Sequence, residues 1–126
     1  MIVQDFYFVL PTGVNVKDSG ILDPIKLQIV RKVSHPAVIS ADLRFQGISI
    51  KNNELTIMNV FNNSVPAYDA EFLSYAQDIK NLCTSLNGTV QRDEYVISDL
   101  TEIPGFDTFT QIEVVNGTIV TDLLSI

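Results

Sequence analysis

Three sets of residues in this chain have side chains that carry chemistry in other proteins. The first is His35, the only histidine, set in Ser34-His35-Pro36. An imidazole titrates near neutrality and acts as a general base when a nucleophile and an orienting carboxylate surround it. Neither can be read from its place in the sequence, and the following proline restrains His35 to extended backbone. The expectation is a turn residue with an exposed ring. The second set is acidic: Asp93, Glu94, Asp99, Glu102, Asp107 and Glu113, with no base between the first and the last. Oxygen clusters hold hard cations, but the spacing does not reproduce an EF-hand loop. Paired carboxylates also cleave glycosidic bonds, in clefts lined with aromatic rings, and the chain has no tryptophan. The third is the single cysteine, Cys83, read as a small buried hydrophobe because it falls on an apolar helix face. One cysteine and one histidine cannot build a zinc site within one chain. The six glycines never fall into a phosphate-cradling pattern. No catalytic residue, cofactor or metal ligand is expected, and the chain is read as non-enzymatic.

The elements that would position these residues centre on residues 66–88. Phe72, Ala76, Ile79, Cys83 and Leu86 recur at helical spacing, widened by Leu73 and Leu82, with Ser64 and Pro66 at the start and Asn87-Gly88 at the stop. The rest reads as strand and turn. Residues 2–10 form a first strand, and residues 11–24 a long loop rich in proline, glycine and aspartate. Residues 25–33 alternate, with Ile25, Leu27 and Ile29 against Lys26, Gln28 and Lys32, and predict a half-solvated strand. Residues 37–50 resume as a strand in which the apolar phase slips at Gly47, the sign of a bulge. Asn52-Asn53 predicts a two-residue hairpin turn that sets Lys51 opposite Glu54, Ile50 opposite Leu55 and Ile48 opposite Ile57. Strands 54–61 and 89–98, joined by the helix, should run parallel. Asn116-Gly117 predicts a second hairpin, with Val114 facing Ile119 and Ile112 facing Thr121. The fold class is α+β: a largely antiparallel sheet of about seven strands on one amphipathic helix, in a single domain of residues 1–126. A β-sandwich or barrel with one helix is the alternative.

Within this pattern the run from Leu55 to Ser98 resembles the strand–helix–strand of the C-terminal domain of the bacterial division protein ZipA. The resemblance rests on Ala76-Gln77 in the helix, Gly88 at its end and the acidic strand that follows. It covers about a third of the chain, implies a helix packed on a sheet, and carries over no functional residue.

Hydrophobic residues make up 46% of the chain and charged residues only 18%, and the mean hydropathy is +0.22. Such a chain folds and is oilier than an ordinary acidic monomer, so part of its surface is expected to be covered by another protein. Charge is uneven. Residues 1–53 carry a net +2 and residues 54–126 a net −9. That polarity fits a solvated acidic surface, head-to-tail self-assembly, or an acidic decoy for a basic site. It disfavours nucleic acid, whose phosphates would repel it. The N-terminus lacks a basic region of the signal-peptide kind, and no apolar run is long enough to span a bilayer. The expectation is a structural, protein-binding subunit, cytoplasmic or in a virion or appendage, that forms a homo-oligomer or docks in a larger assembly. Its interface is placed on Phe6, Phe8, Asp93, Glu94, Asp99, Glu102 and Asp107. The alternative is an acidic inhibitor or immunity-type protein that masks a basic site on a toxin or nucleic-acid enzyme.

Overall fold

The computed structural model describes residues 1–97, 109–115 and 117–121. β1 (Ile2–Val9) is flanked on both sides. It pairs antiparallel with β3 (Glu54–Phe61) and with β4 (Thr89–Ile97). β2 (Leu43–Lys51) pairs with the other side of β3, and the two-residue β5 (Thr110–Gln111) adds to β2. The five-stranded sheet therefore has the order β4-β1-β3-β2-β5. β6 (Val114–Val115) and β7 (Thr118–Ile119) form a separate two-stranded ribbon. β3 and β4 run parallel, as their connecting helix requires, but β1 lies between them.

The largest departure from the sequence reading is in residues 22–41, which are helical. α1 spans Leu22–Val33 and α2 spans Pro36–Ala41. The alternation of Ile25, Leu27 and Ile29 is real, but a second spacing overrides it. Leu22, Ile25, Ile29 and Val33 recur every three or four residues and are all buried, whereas Leu27 is 66% exposed. Asp23 in the first turn and Arg31 and Lys32 in the last complement the helix dipole. Ser34-His35-Pro36 ends one helix and starts the next, with Pro36 at a first-turn position where a missing N–H costs nothing. The expectation of a single helix is thus corrected, and residues 37–41, expected to begin a strand, belong to α2.

The central helix also differs in detail. Ser64 and Pro66 open a one-turn helix, α3 (Val65–Tyr68), and Asp69 breaks it in an extended conformation. Asp69 then caps α4 (Ala70–Ser85), its Oδ1 accepting from the Phe72 N–H at 2.7 Å. Phe72, Tyr75, Ala76, Ile79 and Cys83 are buried, while Leu73 is exposed. The β2–β3 hairpin keeps the expected register, Lys51 opposite Glu54 and Ile48 opposite Ile57, with Asn52 at positive φ. Val114 likewise faces Ile119; Asn116 of that turn lies outside the described residues. The bulge in β2 falls between Leu43 and Phe45, not at Gly47. Gly47 is demanded by space, since a Cβ there would lie 2.9 Å from both Phe109 and Phe45.

β1, α1–α2, β2, β3, α3–α4 and β4 give the β-α-β-β-α-β connectivity of the split βαβ arrangement. That architecture hosts many unrelated activities and carries no functional argument by itself. The helices cover one face of the sheet. Phe6, Phe8, Ile48, Leu55 and Ile57 meet α1 and the second half of α4 in one cluster, and Ile2 and Phe61 meet α2 and the start of α4 in another. On the opposite face Phe45, Met58 and Val60 pack with Met1, Val3 and Phe109. β3 is therefore apolar on both sides, which is why LTIMNVF shows no alternation.

Gly88 marks the junction of α4 and β4. Asn87 takes the left-handed turn (φ 60°), so Gly88 is not there for its dihedral freedom. A Cβ at Gly88 would stand 2.7 Å from Cys83 Sγ, 2.9 Å from Leu10 and 3.0 Å from the Cys83 carbonyl, which accepts the Gly88 N–H. Gly88→Ala should cost about 1–2 kcal/mol through overpacking, read as a lower urea midpoint. An unchanged midpoint would show that the Cys83 and Leu10 side chains yield freely.

Candidate functional site

Phe6 and Phe8 lie on the helix-facing side of β1, 2% and 0% exposed, and form part of the core with Ile25 and Ile29. Both rings are therefore core residues of the single chain and not part of its surface. The outward member of the aromatic run is Tyr7, half-buried, which donates to Glu54 Oε1 and lies beneath the Arg92 guanidinium, 5.2 Å from the ring centre. Asp93 and Glu94 stand on β4. Asp99, Glu102 and Asp107 lie outside the described residues.

β4 closes one end of the sheet. Its inner side pairs with β1, and no strand among the described residues pairs with its outer side. Thr89, Gln91, Asp93, Glu94 and Val96 are exposed along it. The acids here are less free than the sequence implies. Asp93 Oδ2 lies 2.7 Å from Lys80 Nζ of α4, on the helix side. On the opposite face Arg92 Nε donates to Asp5 Oδ2 at 2.7 Å, and that bond holds the guanidinium above its usual range. Glu94 makes no ion pair or hydrogen bond among the described residues.

His35 departs from expectation in the other direction, since its ring is buried, 9% exposed. Nδ1 accepts the Ala37 N–H at 3.0 Å and caps α2. That places the proton of the neutral ring on Nε2, which lies 3.2 Å from Glu71 Oε2 and 3.7 Å from Asp69 Oδ1. Tyr75 meets the ring edge-on. Both nitrogens are engaged within the fold, so His35 ties α2 to the start of α4 and has no free lone pair for a substrate.

Sequence reasoning missed a polar row inside the core. Tyr95, Gln4, Asn59 and Gln46 stand opposite one another on β4, β1, β3 and β2. They share the helix-facing side, because Gln4 alternates with Ile2 and Phe6, which are buried there. One step towards the hairpin the strands present Phe6, Ile57 and Ile48, and one step the other way Ile2, Phe61 and Leu43. The row is thus the boundary between the two apolar clusters. Asn59 Nδ2 donates to Gln4 Oε1 at 2.9 Å. Asn59 Oδ1, both amide atoms of Gln46 and the Tyr95 hydroxyl are buried without a hydrogen-bond partner among the described residues. Burial, helped by the charge of Asp69, holds the Tyr95 phenol above its usual range. Lys32, one turn beyond Ile29 on the buried face of α1, is 2% exposed, and its Nζ also lacks a partner among the described residues. Burial pulls its pKa from 10.5 down to about 7. Gln46 also borders a cavity of about 340 Å³, where Leu43, Arg44, Ile112, Glu113 and Thr121 line the seam between β2 and the β6–β7 ribbon.

Cys83 is buried, and burial raises its thiol pKa, which suits an unreactive core residue. Among the described residues no three His, Cys, Asp or Glu side chains come together as a metal site. No helix among them is long and apolar enough to cross a membrane. Comparison of the chain with protein-family models, with curated proteins and with solved structures finds no match.

Proposed function

We propose that this chain is a non-enzymatic structural subunit that binds other protein chains, copies of itself first, and that β4 is the surface it uses. The observation that supports the reading is the free outer side of β4: nine residues at the end of the sheet, with no strand beside them among the described residues. An open row of backbone donors and acceptors is a template for another strand. The acidic-decoy alternative draws less support. It needs a surface of uncompensated negative charge, yet Lys80 and Arg92 offset Asp93 and Asp5 in place. Head-to-tail assembly is weakened too, because Lys32, one of the bases of the basic half, is buried.

Light scattering on the purified chain tests the reading. The expected result is a mass above that of the 14.0 kDa monomer that grows with protein concentration and falls with salt. A monomer at every concentration that binds a basic foreign protein would replace this reading with the decoy.

A further inference from the structure

We propose that two copies of this chain join edge to edge through β4, antiparallel, with Asp93 on the two-fold axis and Arg92 of each copy opposite Glu94 of the other. The proposal rests on the reading of self-association through β4 above and adds its symmetry and register. Successive residues of a strand point to opposite faces, and residues directly opposed in an antiparallel pair share a face. A two-fold axis normal to a continuous sheet preserves faces. It must therefore pass through a residue, never between two. Centring on Glu94 sets two acids without an ion partner among the described residues against each other, and centring on Arg92 leaves Glu94 opposite Val90 with no base. Centring on Tyr95 leaves Glu94 opposite Val96 and gives Arg92 no acid. Centring on Asp93 sets Arg92 against Glu94 twice, on the helix-free face that Tyr7 and Asp5 of β1 share. The two Asp93 side chains then meet on the helix side, where each already lies 2.7 Å from Lys80.

Charges on an edge strand commonly keep it from pairing. Here their order, basic–acidic–acidic with the middle acid neutralised, is complementary to its own reverse. Glu94 has no ion pair among the described residues, and its charge already acts on Arg92 of its own strand, so the strand carries the complementary pair side by side. Gln91 is the extra residue where the β1–β4 register slips. The regular ladder about Asp93 is therefore short, and the dimer is expected to be weak and salt-sensitive.

Cysteine scanning of the full chain reads the register. Asp93→Cys places one thiol opposite its own copy, within reach of a disulfide, and should convert to covalent dimer under mild oxidation. Glu94→Cys, offset along the strand from its copy, should convert far less, and buried Cys83 not at all. Asp93→Cys removes only an exposed ion pair, so the fold should persist. Independently, Glu94→Lys should raise the dimer dissociation constant about tenfold or more at low salt, because it sets a second base against Arg92. Efficient cross-linking at 93 with dissociation by Glu94→Lys supports the proposal. A dimer indifferent to Glu94→Lys, or one cross-linked through other positions, overturns the register while self-association stands. A monomer at all concentrations overturns both.

Discussion

Lys32→Met should make this protein more stable, and the gain should shrink as pH rises. The side chain is 2% exposed with no partner for its ammonium among the described residues, and its pKa falls from 10.5 to about 7. Between those values the unfolded chain holds a proton that the folded one has released. More protons are bound in the unfolded state, so stability rises with pH across that window. Below about pH 7 both states are charged and the full penalty for burying the ammonium remains. The shift corresponds to about 5 kcal/mol between the two ends of the window. Methionine has a similar length and no charge to bury, so the variant should gain about 3–5 kcal/mol at pH 6 and much less at pH 9. Cys83 and Tyr95, whose pKa values are raised, act with the opposite sign at the alkaline end. They are common to both proteins, so the difference between the two urea-denaturation series isolates Lys32. A difference that does not vary from pH 6 to 9 would mean the ammonium is solvated or paired.

That lysine also shows what the sequence could reveal. In IKLQIVRKV it occupies the polar phase of an alternating pattern, and the strand reading puts it in water. The helical phase of Leu22, Ile25, Ile29 and Val33 was equally present, with Asp23-Pro24 before it and Arg31-Lys32 at its end, but two periods coexisted in one short segment. Packing against α4 and the sheet chose between them, and it buried Lys32 while leaving Leu27 exposed. The β2–β3 hairpin was legible because turn residues, opposite charges and aliphatic pairs agreed with one another. The partners of His35 were not, because Asp69 and Glu71 approach it only when α2 docks at the start of α4. Nor does chain order reveal which strand ends the sheet. β4 was readable as a strand, but that it ends the sheet among the described residues follows only because β1 enters between it and β3. Gln4, Gln46 and Asn59 looked like isolated polar interruptions in apolar strands, and only the register sets them in one row.

Asn59→Leu should cost about 1–3 kcal/mol, and adding Gln4→Leu should return the loss. In the single variant Gln4 Oε1 loses the donor that reaches it among the described residues, Asn59 Nδ2 at 2.9 Å, in a residue 2% exposed. Gln4→Leu alone strands that Nδ2 in the same way. In the double variant both polar partners are gone, along with the orphaned Asn59 Oδ1. Two leucines then bridge Phe6 and Ile57 on one side with Ile2 and Phe61 on the other, making one apolar core of two. A coupling of about 1–3 kcal/mol between the substitutions should appear in a double-mutant cycle. Gln46→Leu should then raise stability further, by about 1–2 kcal/mol, since neither of its amide atoms has a partner among the described residues. The row has a use that offsets this cost. A slip of β1 by two residues would keep Ile2, Phe6 and Phe8 facing the helices but set Gln4 against an apolar residue and break its bond to Asn59, so the polar row penalises the one class of slip that apolar alternation alone does not. The apolar triple variant should therefore denature later but exchange its β1 amides faster relative to its global stability, measured by native-state hydrogen exchange. Strict additivity of the first two substitutions would end this account, because it would show that Gln4 and Asn59 are each satisfied without the other.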